Sequence, residues 1–267
     1  MKKFIIIGLW VVFTIGLFVM MGFATHAHSV RKCEALDIAI DRKSADLFID
    51  NEMVEHLLDD HGMNPVGQEL AKVDVNALER LLLTHPAVES CDAFVTVGGK
   101  VSIRIHQRRV IARFINATGE SYYIDDRGLL MPWSEVYTAP VVLVNGNFAD
   151  TYARWENFSF KDVVTDSVPN TPTVLDDAWQ IVKRVDADTF LRSQVVQVYY
   201  SPEKGFQLTP RVGRHTIIVG DVSDLDEKFK KLLVFYREGL ARTGRWNEYS
   251  MIDLQYKNQI VCTKKNN

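Results

Sequence analysis

The sequence lacks the basic excess that a nucleic-acid-binding protein requires. Its 31 lysines and arginines are outnumbered by 34 acidic residues, and the formal net charge is −3. A protein that binds phosphates tightly needs a positive field, because much of its affinity comes from the release of counterions. We therefore expect no nucleic-acid partner.

Cysteine is scarce, with three residues among 267. Cys33, Cys91 and Cys262 include no C-x-x-C pair, which excludes zinc ribbons and thioredoxin-like redox chemistry. Outside the cytoplasm, a disulfide between Cys33 and Cys91 could form. The alternative is that all three cysteines are small buried apolar residues.

The motifs of common enzyme chemistry are also missing. Neither G-x-x-x-x-G-K-[ST] nor G-x-G-x-x-G occurs, and the nearest approach to a nucleophile elbow, Gly119-Glu120-Ser121-Tyr122-Tyr123, lacks the final glycine. His56 and His61 are five residues apart on a predicted helix, so they cannot share a metal ion. We expect no catalytic residue, no metal, no cofactor and no small-molecule substrate.

What the sequence does contain is one long apolar run. Residues 4–24 carry no charge, and a helix of this length spans about 30 Å, the thickness of the hydrocarbon core of a bilayer. A cleaved signal peptide is the alternative, but its apolar region is usually shorter, and the best cleavage position, after Ala27, is poor. We predict an uncleaved single-pass anchor, with residues 1–3 as a cytoplasmic stub and residues 25–34 as a periplasmic stem.

The first part of the body, residues 35–113, has the pattern of a small α+β module. Residues 36–40 alternate between apolar and polar as in a half-buried strand. Asp50 and Asp74 are predicted N-caps of two helices with apolar faces. Two strands complete the module, over residues 88–97 and 100–106, joined by Gly98-Gly99 as a two-residue hairpin signal.

The second part, residues 114–267, is richer in strand patterns. Residues 122–131 read as a hairpin, and Ser223 is the predicted cap of a long helix. Residues 252–257 alternate as a last strand, which could run on through Cys262. This order predicts a second domain dominated by β-structure.

Six short segments carry a resemblance to a known family: His85-Pro86-Ala87-Val88, Tyr123-Ile124-Asp125 with Gly128, Pro140 to Gly146, Ile217 to Gly220, Lys228 to Leu232, and Ile252-Asp253-Leu254-Gln255-Tyr256. In this order, and together with the apolar run and the predicted elements, they resemble the FtsQ/DivIB family of bacterial cell-division proteins, most closely its Bacteroidetes branch. Two segments depart from the family: Gln107-Arg108-Arg109-Val110 lacks its glutamate and proline, and Gly98-Gly99 replaces its aromatic-proline hairpin. The resemblance implies an α+β fold, with a single transmembrane helix followed by a POTRA-like domain and a C-terminal β-rich domain.

The resemblance also implies a function. It implies a non-enzymatic scaffold of the divisome in the inner membrane, with its body in the periplasm at the division septum. Its implied partners are FtsB and FtsL-like coiled-coil proteins and other membrane proteins of the divisome. Two alternatives remain open: a membrane-anchored POTRA accessory of protein translocation or outer-membrane assembly, and a secreted binding protein if the apolar run is cleaved.

In the family, the motif that matches Ile252 to Tyr256, written iDLxY, is followed by a strand at an open sheet edge. A segment of FtsB adds to that edge as a further strand. By resemblance, the partner-binding residues are Tyr256, Gln259, Ile260, Val261, Cys262, Thr263 and Lys264. The alternative is an edge protected by Lys257, Lys264 and Lys265 without any partner. The POTRA-like domain is expected to dock other division proteins, with Arg108 and Arg109 as candidate docking residues.

Overall fold

The computed structural model describes residue 10 and residues 13–20, 31–42, 47–155 and 173–265. The chain divides into two compact units, Met1–Arg108 and Arg109–Asn267. The boundary thus falls at Arg108 rather than after Arg113. The reason is that Val110–Ile115 forms a strand of the sheet in the second unit.

The predicted anchor over residues 4–24 lies largely outside the described residues, as does most of the predicted stem. Residues 13–20 are described, and they are helical and exposed. Within the described part of the chain, no helix is both long and apolar enough to cross a membrane.

The first unit has the predicted order of strand, helix, helix, strand and strand. Its strands β1 (Leu36–Arg42), β2 (Val88–Val95) and β3 (Val101–Gln107) pair in the order β1-β3-β2, with β1 parallel and β2 antiparallel to β3. Its helices are α1 (Asn51–Asp60) and α2 (Val75–Leu82), with one 3₁₀ turn (Leu70–Lys72) between them.

Both helices begin at the predicted caps. The Asp50 carboxylate accepts a hydrogen bond from the Met53 N–H at 2.8 Å, and the Asp74 carboxylate accepts one from the Ala77 N–H at 3.0 Å. Each bond satisfies a backbone donor that a helix start would otherwise leave unpaired. The helices and the sheet share a hydrophobic core that includes Val54, Leu58, Leu78, Leu82, Ile103 and Ile105.

The β2–β3 hairpin has a three-residue loop rather than the predicted two-residue loop. The Thr96 N–H donates to the Lys100 carbonyl at 2.8 Å, and the Gly99 N–H donates to the Thr96 carbonyl at 3.1 Å. Gly99 has a φ of 84°, the left-handed conformation that follows a type I turn in hairpins of this length. The second glycine of the pair therefore closes the hairpin.

The described residues of the second unit form one mixed sheet of nine strands. In chain order they are β4 (Val110–Ile115), β5 (Ser121–Asp125), β6 (Leu130–Pro132), β7 (Val142–Gly146), β8 (Val195–Ser201), β9 (Gly205–Pro210), β10 (Thr216–Gly220), β11 (Tyr249–Asp253) and β12 (Val261–Lys264). They pair in the order β12-β11-β10-β9-β8-β7-β4-β5-β6. The helices of this unit are α3 (Tyr152–Trp155), α4 (Val174–Asp186), α5 (Thr189–Gln194), α6 (Leu225–Val234) and α7 (Ala241–Thr243), with a π-helical turn (Phe235–Leu240) between the last two.

Helices α4 and α6 supply much of the core that covers this sheet. Trp179 on α4 and Phe229 on α6 are buried, and so is Tyr236 in the π-helical turn. They belong to one cluster with buried strand residues such as Ile217 and Ile252. Burial of large apolar side chains such as these is the main source of the stability of the unit.

The predicted cap of α6 at Ser223 is wrong. Asp224 occupies the N-cap position with a φ of 47°, and the Ser223 N–H donates to the Asp221 carboxylate at 3.1 Å. The buried ammonium of Lys228 donates to the same carboxylate at 2.8 Å, and it lowers the pKa of Asp221 to about 2. The loop before α6 is therefore bonded to the helix through Lys228, a residue of the helix itself.

The last strand does not run on from residue 252 through Cys262. Strand β11 ends at Asp253, and β12 returns antiparallel to it from Val261. The Asp253 carboxylate accepts a hydrogen bond from the Gln255 N–H at 2.9 Å, and Asn258 has a φ of 59°. Both features are typical of a chain reversal.

Candidate partner-binding edge

Strand β12 lies at one end of the nine-stranded sheet. Its inner side pairs with β11, where Ile252 lies opposite Cys262 and Asp253 lies opposite Val261. No other strand in the described ranges pairs with its outer side. We call Val261–Lys264 the β12 edge. The backbone N–H and C=O groups on the outer side of an edge strand can pair with a further extended segment.

The side chains of this segment alternate as the sequence predicts. Ile260 and Cys262 are half-buried and pack against the core of the unit, whereas Val261 and Thr263 are exposed. Burial raises the pKa of the Cys262 thiol, so it remains protonated at neutral pH. Side chains on one face of this segment therefore pack against the core, and those on the other face are accessible to solvent.

Tyr256 lies in the turn between β11 and β12, and its side chain is 49% exposed. The apolar residues of the same motif, Ile252 and Leu254, are fully buried. Gln259 is exposed in the same turn. The structure thus divides the motif into a buried apolar pair and an exposed tyrosine next to the β12 edge.

The lysines near the edge differ in their surroundings. The Lys264 ammonium lies 3.0 Å from the Glu248 carboxylate and holds the pKa of that carboxyl below its ordinary value. The Lys265 N–H donates to the Glu248 carbonyl at 3.0 Å, and Lys257 is exposed in the turn. The charge of Lys264 is therefore matched within the unit, which weakens its role as an unpaired guard of the edge.

The two candidate docking arginines both make contacts within the chain. Arg108 donates from Nε to the Val88 carbonyl at 3.2 Å. Arg109 donates from Nη1 and Nη2 to the two carboxylate oxygens of Asp186 at 3.0 and 2.7 Å, and from Nε to Asp126 at 3.1 Å. The hydrogen bonds to Asp186 are the main reason that the pKa of Arg109 is raised above its ordinary value.

The disulfide between Cys33 and Cys91 is not formed. All three cysteines are described, and each is a free thiol. Cys91 lies opposite Ile105, which lies opposite Ile40 on the far strand of the sheet, two strand spacings or about 10 Å away. Cys33 precedes Ile40 by seven residues, and a disulfide requires Cα atoms within about 7 Å. Burial raises the pKa of the Cys91 thiol to about 12.

Lys231 was not identified from the sequence, because a lysine on an amphipathic helix normally lies on a solvated face. Its ammonium instead contacts the turn that carries Tyr256.

Among the described residues, no group of three or more His, Cys, Asp and Glu side chains could hold a metal ion.

Comparison with known families gives two matches. The family described as "POTRA-like domain" matches residues 31–106, and the family described as "FtsQ/DivIB, C-terminal related" matches residues 109–263. None of the curated proteins compared with the chain matches it significantly. The second family match covers more than half of the chain and includes β12 apart from its last residue. The resemblance drawn from the sequence is confirmed: the chain belongs to the FtsQ/DivIB family.

Proposed function

We propose that this protein is a non-enzymatic, single-pass scaffold of the bacterial division machinery, which links periplasmic partners during septum formation. The observation that carries the proposal is the β12 edge, which has an accessible outer side next to the exposed Tyr256. A strand edge of this kind binds an extended segment through its backbone and needs no catalytic group to do so.

The proposed partner is an FtsB-like coiled-coil protein, acting together with an FtsL-like protein. A segment of it would add beside β12 as a further strand, and backbone hydrogen bonds would supply much of the affinity. Tyr256 and Val261 would supply specificity through their exposed side chains. The full contact surface would be Tyr256, Gln259, Ile260, Val261, Cys262, Thr263 and Lys264.

The proposed location is the inner membrane at the division septum. Residues 4–24 would be the anchor, with residues 1–3 in the cytoplasm and both units in the periplasm. This part of the proposal is supported by the absence of charge over 21 residues, which as a helix span about 30 Å. It is also supported by the helical conformation of residues 13–20.

The first unit is proposed to dock other membrane proteins of the divisome. Arg108 is the better probe of this surface, because reversal of charge at Arg109 would also break its contacts with Asp126 and Asp186.

A fluorescently tagged chain should form a band at midcell. A uniform envelope signal would favour the translocation or outer-membrane assembly accessory instead. A midcell band unchanged by Arg108→Glu would remove Arg108 from the docking surface.

The partner site is tested by Tyr256→Ala in the full chain, extracted in mild detergent and co-purified with a tagged FtsB–FtsL pair. We expect recovery of the pair to fall by roughly tenfold or more, as loss of a central aromatic anchor does at other interfaces. Because the Tyr256 side chain is half exposed in a turn, the thermal midpoint should change little.

The matched control is Tyr199→Ala, which removes a tyrosine of similar exposure from strand β8 of the same unit. It should bind as the unmodified protein does. Normal binding by Tyr256→Ala, or unfolding of that variant, would show that the interface lies elsewhere.

A further inference from the structure

The ammonium of Lys231, on helix α6, is surrounded by backbone carbonyls of one turn. It donates to the carbonyl of Tyr256 at 2.6 Å, to that of Leu254 at 3.2 Å and to that of Gln259 at 3.4 Å. An ammonium group has three N–H donors and no acceptor. The three carbonyls therefore match its donors one to one.

All three carbonyls belong to the connection between β11 and β12, residues 254–260. An irregular connection leaves carbonyls without strand partners, and each must be satisfied by another donor or by water. Since the donor here is charged, its hydrogen bonds are stronger than neutral ones. Lys231, on helix α6, thus donates hydrogen bonds to carbonyls of the turn that the strands of the sheet do not satisfy.

The same turn is held on its other side by β10. The Leu254 N–H donates to the Ile218 carbonyl at 2.9 Å. At Gly220 a Cβ atom would lie 2.8 Å from the side-chain nitrogen of Gln255, so the absence of a side chain there leaves room for the Gln255 side chain. The turn is thus bonded to α6 through Lys231 and contacts β10 through Leu254 and Gln255.

We propose that Lys231 is a positioning residue for partner binding: it holds the β11–β12 turn so that Tyr256 and the start of β12 are already in their bound geometry. This inference rests on the function proposed above. A partner that adds to a preformed edge does not have to order it, whereas a partner that adds to a loose edge loses affinity to the entropy of ordering.

Two substitutions separate this role from a general structural one. Lys231→Met keeps much of the aliphatic stem and removes every donor, while Lys231→Arg keeps a charged donor that can reach carbonyls. Lys230→Met is the matched control, because Lys230 is the exposed neighbour on the same helix.

The experiment uses the full chain in dividing cells, with a photoreactive amino acid in place of Thr263 on the β12 edge. The measured quantity is the yield of the covalent adduct with an epitope-tagged FtsB-like protein of the same cells. We expect Lys231→Met to lower the yield roughly tenfold, a change of about 1.4 kcal/mol in binding. Lys231→Arg should restore at least half of the yield, and Lys230→Met should not change it.

Amide hydrogen exchange of the purified full-length variants supplies the second measurement. In Lys231→Met, we expect faster exchange for residues 255–264 and unchanged exchange in the central strand β8. An unchanged adduct yield in Lys231→Met, or faster exchange throughout the second unit, would overturn the inference. Absence of the adduct already in the chain with Lys231 intact would instead overturn the proposed function.

Discussion

Arg109 makes charged hydrogen bonds to two aspartates of the second unit. Its guanidinium bridges Asp126 and Asp186, and its side chain is 23% exposed. Removing one partner from a largely buried ion pair leaves the other charges uncompensated. We expect Arg109→Met to lower the free energy of unfolding of the second unit by about 2–4 kcal/mol, as measured by urea unfolding followed by tryptophan fluorescence.

Arg192→Met is the control for this measurement. Arg192 also faces Asp186, but at 3.8 Å and with 52% of its side chain exposed. A pair this long, with one exposed partner, should contribute less than about 1 kcal/mol. Equal losses in Arg109→Met and Arg192→Met would contradict the assignment of Arg109 to the internal structure of the unit.

His215 makes the stability of the second unit depend on pH. The ring is buried, and its Nε2 lies 2.9 Å from the Tyr236 hydroxyl. Burial lowers the pKa of His215 below its ordinary value of 6.5, so at acidic pH the unfolded chain binds a proton that the folded chain does not. The contribution of this ring is complete above pH 6.5 and is lost as the pH falls from 6.5 towards the folded-state pKa.

We therefore expect His215→Gln to reduce the drop in thermal midpoint between about pH 7.5 and about pH 5.5. The pKa of His85 in the first unit is also lowered by burial, and His85 stays in place to give part of the remaining slope. His56→Gln, at a histidine whose side chain is 72% exposed, is the control for the substitution itself. An identical slope in His215→Gln and the unmodified protein would disprove this role of His215.

At the scale of elements, the sequence correctly predicts the features that depend on residues close together in the chain. The caps at Asp50 and Asp74 are correct because each carboxylate bonds an N–H three residues along the chain. The cap at Ser223 fails because Ser223 and Lys228 both bond the Asp221 carboxylate, and Asp224 takes the N-cap position. A cap pattern does not include such a contact.

Strand β4 shows the same limit over a longer distance. Val110–Ile115 is a short apolar run broken by Arg113, and periodicity alone does not assign such runs. Its conformation comes from pairing with β5 on one side and, in parallel, with β7 on the other. Because β7 begins at Val142, local patterns give no sign of this pair.

The candidate site divides in a similar way. The alternation of Ile260 and Cys262 against Val261 and Thr263 was predictable, because it follows the period of a strand. The position of Tyr256 in a turn was not, because the reversal depends on the left-handed conformation of Asn258 and on the contact with Lys231. The first is a rare backbone state for a residue other than glycine, and the second joins residues 25 positions apart.

At the scale of the whole molecule, the proposed anchor should remain on the mature protein. We expect the chain in the membrane fraction to keep residues 1–24, because the apolar run is longer than a typical signal peptide and lacks a good cleavage site. Intact mass measurement of the extracted protein tests this. A mature chain that begins after Ala27 would contradict the anchor and would favour the secreted alternative.

Addition of a partner strand to the β12 edge is measured by amide hydrogen exchange of the full chain with and without the FtsB–FtsL pair. We expect exchange of Val261–Lys264 to slow at least roughly tenfold when the pair is bound, since new backbone hydrogen bonds protect the edge. Exchange at β6, the opposite end of the sheet, should stay the same. Binding of the pair without protection of Val261–Lys264, or with protection confined to β6 or to the first unit, would show that the partner does not add to the β12 edge.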